Sequence, residues 1–317
     1  MSVFFIVLNV ARQLLALRPF SDKLKLSWLF SIFQLISCFL ENCRYQTVAS
    51  VGSCGLVRSI SVVVPAYNEE SKICDALSKI IAAKLNASEM ISVEVIVIND
   101  ASTDLTLSVT EEFVSKYAET CSFKILNNQR NLGVGYAFWI GSKAASGEFV
   151  TLVPGDGVFS SESLGTLFCN FSTLGVTLTS RSNKHQRNRV RRLVSDALAV
   201  WFSWIVGKRV LDPHSLFVFP KKSVINAYKE IWPSISDDQS QRIGFEYHLR
   251  ILQWILRVMP VSKTIEVEVI SDLEKSSNSM QLKVLLSFFK QYGRMTLIRM
   301  WNPICRPSGS VLKSDQN

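Results

Sequence analysis

Histidine is scarce in this chain of 317 residues, with only three copies, at positions 185, 214 and 248. They lie far apart along the sequence, which argues against a histidine-rich metal centre. The seven cysteines (38, 43, 54, 74, 121, 169 and 305) are odd in number and include no C-x-x-C pair. That spacing offers neither a zinc site nor a disulfide framework. Several fall in apolar periodic segments, so they read as buried thiols in a reducing compartment. Internal repeats and low-complexity segments are also missing.

Long apolar runs are lacking at the N-terminus as well. Residues 1–17 are apolar but carry Arg12, and no convincing small-residue cleavage site follows. Leu26–Leu40 (LSWLFSIFQLISCFL) has 15 uncharged residues between Lys25 and Glu41, short of the roughly 20 needed to span a bilayer. Its aromatics and serines at helical spacing suit an interfacial or packed helix better than a spanning one.

What the chain does have is apolar mass and positive charge. Hydrophobic residues make up 48%, enough for one large α/β domain with appendages. The net charge of +9 suggests an anionic partner: nucleic acid, an acidic membrane surface or a phosphorylated small molecule. The charge gathers at KHQRNRVRR (184–192) and in the tail from Lys283 to Arg306. Either could instead be a solvated basic face. No base-reading or stacking element is recognisable, so nucleic acid is not expected as a partner.

Residues 1–58 form an apolar, helical-looking preface, and the texture changes at Ile60. Ser61–Pro65 (SVVVP) is a short β-branched run stopped by proline, as in a buried parallel strand. A helical stripe follows over Glu69–Leu85. Val93–Asn99, Phe123–Leu126 and Glu148–Val153 read as further strands, and Thr103–Tyr117 and Gly133–Ser146 as further helices. Such alternation predicts a doubly wound α/β sheet with helices on both faces. Ligands bind such sheets outside the carboxyl ends of the strands. Here those ends read YNE, NDASTD and GDG, all polar or turn-forming. Beyond Ser163 the expected elements are a helix over Leu193–Val206, a strand over Leu216–Phe219, a helix over Gly244–Val258, a strand over Ile265–Ile270 and a basic, aromatic-bearing helix over Leu282–Trp301.

One stretch stands out, FVTLVPGDGVFSSE (149–162), where an apolar run ends in an aspartate between two glycines. A plain turn explains it sterically. Taken in order, however, SVVVPAYNEE, VIVINDASTD, NQRNLGVGYAF and GEFVTLVPGDG resemble the inverting glycosyltransferases of family 2, which have the GT-A fold. Later segments agree: TSRSNK, RVRRLVSDAL, VLDPHSLFVF and GFEYHLRIL followed by VEV resemble the polyprenyl-phosphate branch, typified by dolichol-phosphate mannose synthases. The resemblance spans roughly residues 59–300.

The resemblance implies a nucleotide-diphospho-sugar donor held by Pro65, Tyr67, Glu69, Asp100 and Asp104. Helix capping is the competing role for the polar residues at these strand ends. It implies Mg2+ or Mn2+ at the end of the fourth strand, where the family usually has Asp-x-Asp. Asp156 takes the second position, Pro154 occupies the first, and Val158 stands where a ligating glutamine sometimes occurs. One carboxylate of the usual cluster therefore remains, for catalysis and for the metal. Arg181 is expected to stabilise the departing diphosphate. Arg191, Ser195, Asp212 and Lys221 are expected on the acceptor or phosphate side.

A lipid phosphate is already an anionic nucleophile, whereas a sugar hydroxyl needs a general base. Glu246 is the candidate base, but Arg250 replaces a second acidic residue and basic residues abound, which favours a phosphate acceptor over a saccharide. A degenerate, non-catalytic nucleotide-binding domain is the alternative suggested by Pro154, Val158 and Leu216. The expected organisation is an N-terminal extension (1–58), a GT-A domain (59–270) and a C-terminal amphipathic tail (271–317) at the cytoplasmic face of a membrane.

Overall fold

The computed structural model describes residues 58–87, 90–182, 189–235, 242–244, 247–267 and 290–297. The expectations for the N-terminal preface, for residues 268–270 and for most of Leu282–Trp301 lie outside those residues. Within them the chain alternates β1 (Arg58–Ala66), α1 (Ile73–Leu85), β2 (Ile91–Asn99), α2 (Thr106–Tyr117), β3 (Ser122–Asn127), α3 (Val134–Ala144) and β4 (Phe149–Leu152). It continues through α4 (Ser161–Asn170), β5 (Val176–Arg181), α5 (Arg189–Val206), β6 (Phe217–Pro220), α6 (Lys221–Ile231), α7 (Tyr247–Val258) and β7 (Val261–Val267).

The strands form one mixed sheet in the order β3-β2-β1-β4-β6-β5-β7. β1 pairs in parallel with β2 on one side and β4 on the other, and β2 with β3. β6 is antiparallel to both β4 and β5, and β5 runs parallel to β7. The doubly wound sheet expected from the alternation is therefore present, with one reversed strand in its second half.

Parallel strands covered on both faces need apolar residues at every position, and β1 shows why. Val62 and Val64 enter one core layer with α1 and α4, while Val63 enters the other with α3 and α7. All three valines are completely buried. On α1, Ala76, Leu77, Ile80 and Ile81 form the buried stripe. This helix starts at Ile73 rather than Glu69, because Asn68 takes a left-handed φ of 56° and Glu69 accepts turn bonds from Lys72 and Ile73. The helices α4 and α6 were not apparent from the sequence pattern. Of the three described cysteines, all free, only Cys121 is buried; Cys74 and Cys169 are half-buried, contrary to the expectation of buried thiols.

A buried carboxylate ties the three parallel strands together away from their carboxyl ends. Glu94 on β2 meets the ammonium of Lys124 on β3 at 2.7 Å and accepts from the Ser61 hydroxyl on β1 at 2.5 Å. It also accepts from the Ser146 amide at 2.8 Å, and Ser61 in turn accepts from the Gly147 amide at 2.9 Å. Burial raises the Glu94 pKa, but the bonds from Lys124, Ser61 and Ser146 outweigh it and hold the group below the ordinary glutamate range. Its contribution is thus present above the unfolded-state pKa and is lost as pH falls below that range. Glu94→Gln, which removes the charge and leaves one oxygen to serve three donors, should lower stability by about 2 kcal/mol at neutral pH. Chemical denaturation at pH 7 and pH 3 checks this, the difference shrinking at the lower pH.

Candidate active site

The sheet order reverses at β1, which sends its first crossover to β2 and receives β4 on its other edge. A cleft opens at the carboxyl ends flanking such a switch point. Three of the polar strand ends meet there: Tyr67–Glu69 after β1, Asp100–Asp104 after β2, and Pro154–Gly157 after β4.

Asp100 is almost wholly buried and its carboxylate is engaged on both oxygens. Oδ1 accepts from Asn128 at 2.6 Å and from the Leu132 amide at 2.9 Å, and Oδ2 from the Gly133 amide at 2.8 Å. It thereby holds the entry to α3 against the strand ends. Gly133, at φ 85°, and Gly135 pack on Ile243, where an added Cβ would lie 2.7 Å from its carbonyl oxygen and 2.4 Å from its side chain respectively. The glycines of NLGVG serve close backbone approach, and Asp100 serves that loop.

The ends of β1 and β2 are zipped together by reciprocal bonds. Ser102 and Thr106 hydroxyls accept from the Asn68 and Glu69 amides, and Asn68 and Glu70 side chains accept from the Thr103 and Leu105 amides. Asp104 accepts from the Thr106 amide and hydroxyl at 3.0 and 2.5 Å and from the Glu70 amide at 3.2 Å. Desolvation, the largest single cause, pushes its pKa up, but these bonds together outweigh it and keep the group below the ordinary aspartate range. The capping role weighed for these residues is therefore real, and it leaves Tyr67 standing free beside Pro65, 46% exposed. An exposed aromatic ring at a strand end is a surface on which a flat base can stack.

Glu69 reports on the shared field at this edge. Burial pushes its carboxyl up, Lys72 at 3.8 Å pulls it down, and the charges of Asp156 and Asp104 push it up again, leaving it above the ordinary glutamate range. The charges of two other strand ends thus both bear on Glu69. Asp156 sits in a turn clamped onto α1: Lys79 donates to the Gly157 carbonyl at 2.8 Å and to Asp75 at 2.6 Å. A Cβ on Gly157, at φ 71°, would meet Asp75 at 2.6 Å. The aspartate between two glycines therefore sits in a required turn, where it accepts from the Val158 amide at 3.4 Å and its charge bears on Glu69. Lys79 carried no sequence signal beyond its charge.

Among the described residues no group of three or more His, Cys, Asp or Glu side chains converges as a metal cage. Pro154 and Val158 supply no side-chain oxygen. Mg2+-type ions, however, commonly take one or two protein carboxylates and fill their shell with substrate phosphate and water. Asp156 fits that kind of site and no fuller one.

Arg181, at the end of β5, reaches the same edge. Its guanidinium makes a two-pronged pair with Asp212, Nε to Oδ2 at 2.6 Å and Nη2 to Oδ1 at 2.9 Å. Asp212 is completely buried, so it orients Arg181 instead of meeting an acceptor itself. Ser195 is half-buried on α5, which also carries Arg191, whose side chain lies outside the described residues, as does Glu246. Lys221 is a correction. It follows β6, whose Pro220 pairs with Phe149 at the start of β4, and its ammonium is bonded to the Ala145 carbonyl. It lies across the sheet from Asp156, because the antiparallel β6 carries its end to the opposite edge.

Two histidines far apart in sequence do come together. His214 Nδ1 lies 3.0 Å from His248 Nε2, and His214 Nε2 lies 3.3 Å from the Tyr292 hydroxyl. Sequence separation hid this pair, since the turn before β6 and the start of α7 meet only in the folded chain.

The family model for glycosyl transferase family 2 matches residues 61–228. The chain belongs to this family. It is 28% identical over 142 residues to a dolichyl-phosphate beta-glucosyltransferase of Trichomonas vaginalis, covering 42% of each chain. It is 24% identical over 212 residues to a dodecaprenyl-phosphate galacturonate synthase of Rhizobium johnstonii, covering 66% of this chain and 58% of that one. The matched stretch is thus less than half the length of the first of these relatives. Among solved structures, a mannosyltransferase from Pyrobaculum calidifontis in complex with GDP-Man and Mn2+ superposes with a TM-score of 0.51 at 13% identity, over 83% of this chain and 73% of that one. Glucosyl-3-phosphoglycerate synthase from Mycobacterium tuberculosis, in complex with Mn2+, UDP and phosphoglyceric acid, gives 0.50 at 19% identity, over 78% and 80%. At these identities the likeness speaks for the fold, which is GT-A, as the sequence motifs implied.

Two outcomes follow from this geometry. Asp100→Asn turns one acceptor oxygen into a donor facing an amide and should lower stability by about 2 kcal/mol, read by denaturant unfolding. The second concerns pH. Burial, then the Arg181 charge, outweigh the pull of Asp212 and bring His214 down from 6.5 to about 4. Because the folded pKa lies below the unfolded one, stability is full above pH 6.5 and falls as pH drops toward 4. That slope is worth at most about 3 kcal/mol, and it should flatten in His214→Asn when thermal unfolding is compared across that window.

Proposed function

We propose that the chain transfers a sugar, with inversion, from a nucleotide-diphospho-sugar to a polyprenyl phosphate at a membrane surface. The observation that carries this is the arrangement at the switch point. Tyr67, Glu69 and Asp156 face one edge from β1 and β4, and Arg181 meets the same edge from β5, held by Asp212. Two relatives named for lipid-phosphate acceptors support the choice of acceptor. The basic run at 184–192 in the sequence supports it too, because an anionic nucleophile needs orientation and neutralisation more than a base.

In this reading Tyr67 and Pro65 form the wall against the base, and Glu69 accepts from base or ribose. Asp104 and Asp100 fix the loops that shape the pocket. The acceptor phosphate oxygen attacks the anomeric carbon in line as the bond to the donor diphosphate breaks, and the nucleoside diphosphate leaves carrying the electron pair. Arg181, pre-oriented by Asp212, faces the charge that develops there. Mg2+ or Mn2+, where bound, would be held by Asp156 and would add positive charge beside the diphosphate. Arg191 and Ser195 would meet the acceptor phosphate. A saccharide acceptor would instead require Glu246 as general base.

Among the described residues no helix is long and apolar enough to cross a membrane. Membrane contact in this reading rests on the chemistry of the acceptor, with the enzyme working at the cytoplasmic face.

Thermal unfolding of the full chain with UDP, GDP, CDP or dTDP, with and without Mn2+, tests the donor site. One nucleotide at a hundred times its dissociation constant should add about 2.7 kcal/mol, and Asp156→Ala should abolish the Mn2+-dependent part. Dodecaprenyl phosphate should then stimulate consumption of the matching nucleotide-sugar. Stimulation by a saccharide alone would replace the acceptor, and no shift with any nucleotide would leave a domain without turnover.

A further inference from the structure

The turn from Asp212 to Ser215 is gripped in three directions. Asp212 holds Arg181 at the end of β5, and the Ser215 hydroxyl lies 2.6 Å from that of Thr179 within β5. His214 turns away from the sheet, with its two ring nitrogens against His248 on α7 and the Tyr292 hydroxyl. Tyr292 belongs to the helical residues 290–297 and is completely buried, its ring 5.1 Å from that of Trp201 and 6.1 Å from that of Phe202. A second bond, Trp201 Nε1 to the Thr296 hydroxyl at 3.0 Å, fastens the same segment to α5 without touching His214.

We propose that Tyr292 and His214 are positioning residues: through the bond between them, docking of helical residues 290–297 fixes the Asp212–Ser215 turn and with it the orientation of Arg181. The chain of contacts is short and polar at each step. The His214 amide donates to Asp212 Oδ1 at 3.2 Å, so rotation of the turn moves the carboxylate. Because the Arg181–Asp212 pair is two-pronged, the guanidinium plane follows the carboxylate plane. A ring bonded at both nitrogens has one orientation, and Tyr292 supplies one of those two bonds. A purely space-filling tyrosine would need no hydroxyl here, and its loss would be felt through packing alone. Taken with the proposed transfer, an arginine facing the departing diphosphate would be set by a segment outside the matched family region, which ends at residue 228. The proposal rests on the transferase reading only for what Arg181 acts upon.

The test needs no substrate. In the full-length protein, the rate of phenylglyoxal modification at Arg181 is measured by peptide mass spectrometry and divided by the rate at Arg58. Arg58 donates to the Phe171 and Cys169 carbonyls elsewhere in the fold and serves as the internal reference. Tyr292→Phe should raise the ratio about fivefold, the effect of losing one hydrogen bond of ordinary worth. Thr296→Val, which removes the other bond and leaves the Trp201 ring against Tyr292, should change it far less. A wild-type ratio in Tyr292→Phe, or an equal rise in both variants, would overturn the proposal. Should the wild-type chain transfer no sugar, the transferase reading falls, while the modification ratio still decides this one.

Discussion

Everything at the candidate site hangs on β1 being paired in parallel on both edges. Its register with β2 runs unbroken from Arg58–Ile91 to Ala66–Asn99, and its register with β4 from Ile60–Phe149 to Val63–Leu152. Parallel neighbours must end at the same edge, so the polar residues after each strand are delivered to one place without any long-range design. At such a reversal of winding a crevice generally opens between the crossovers, and these strand ends lie beside it. The strands in turn exist because their apolar residues can be buried on both faces, as Val62, Val63 and Val64 are. Burial in this core creates the site by geometry, and the polar chemistry is added at its rim.

The rim is built in two grades. Asp100, Asp104, Asn68 and Glu70 are committed to backbone amides and act as architecture. Tyr67, Glu69, Asp156 and Arg181 lie at strand ends on the same edge with fewer bonds to backbone. This division explains how a motif can contain many acidic residues and yet show no converging metal cage among the described residues. Glu70, Asp100 and Asp104 hold loops, Glu69 and Asp156 do not, and in the proposed reading Asp156 is the one that a cation would share with a substrate.

The first half of the fold was legible in the sequence because its signals are local and strong. SVVVP, VEVIVIN and FVTLV each run into turn residues, and the helices between them carry apolar stripes at helical spacing. The second half was harder for identifiable reasons. The strand β6 is four residues long and reversed, and nothing in its composition tells direction. The sequence therefore puts Lys221 among the site residues, whereas its strand carries it to the far edge. The helix α4 is announced only by Ser160, whose hydroxyl accepts from the Ser163 amide as a cap. The pairing of His214 with His248 spans 34 residues, and its link to Tyr292 spans 78. Contacts of that kind depend on topology, which no window of sequence contains.

The central claim is that nucleotide chemistry occupies the carboxyl edge of β1, β2 and β4. Hydrogen–deuterium exchange of the full chain with and without saturating nucleoside diphosphate tests it most directly. The account predicts added protection at residues 65–70, 99–106 and 153–158 and beside Arg181 at the end of β5, with the opposite edge around Ser146 and Lys221 unchanged. Protection centred on that opposite edge, or spread evenly with no gain at the three strand ends, would contradict it.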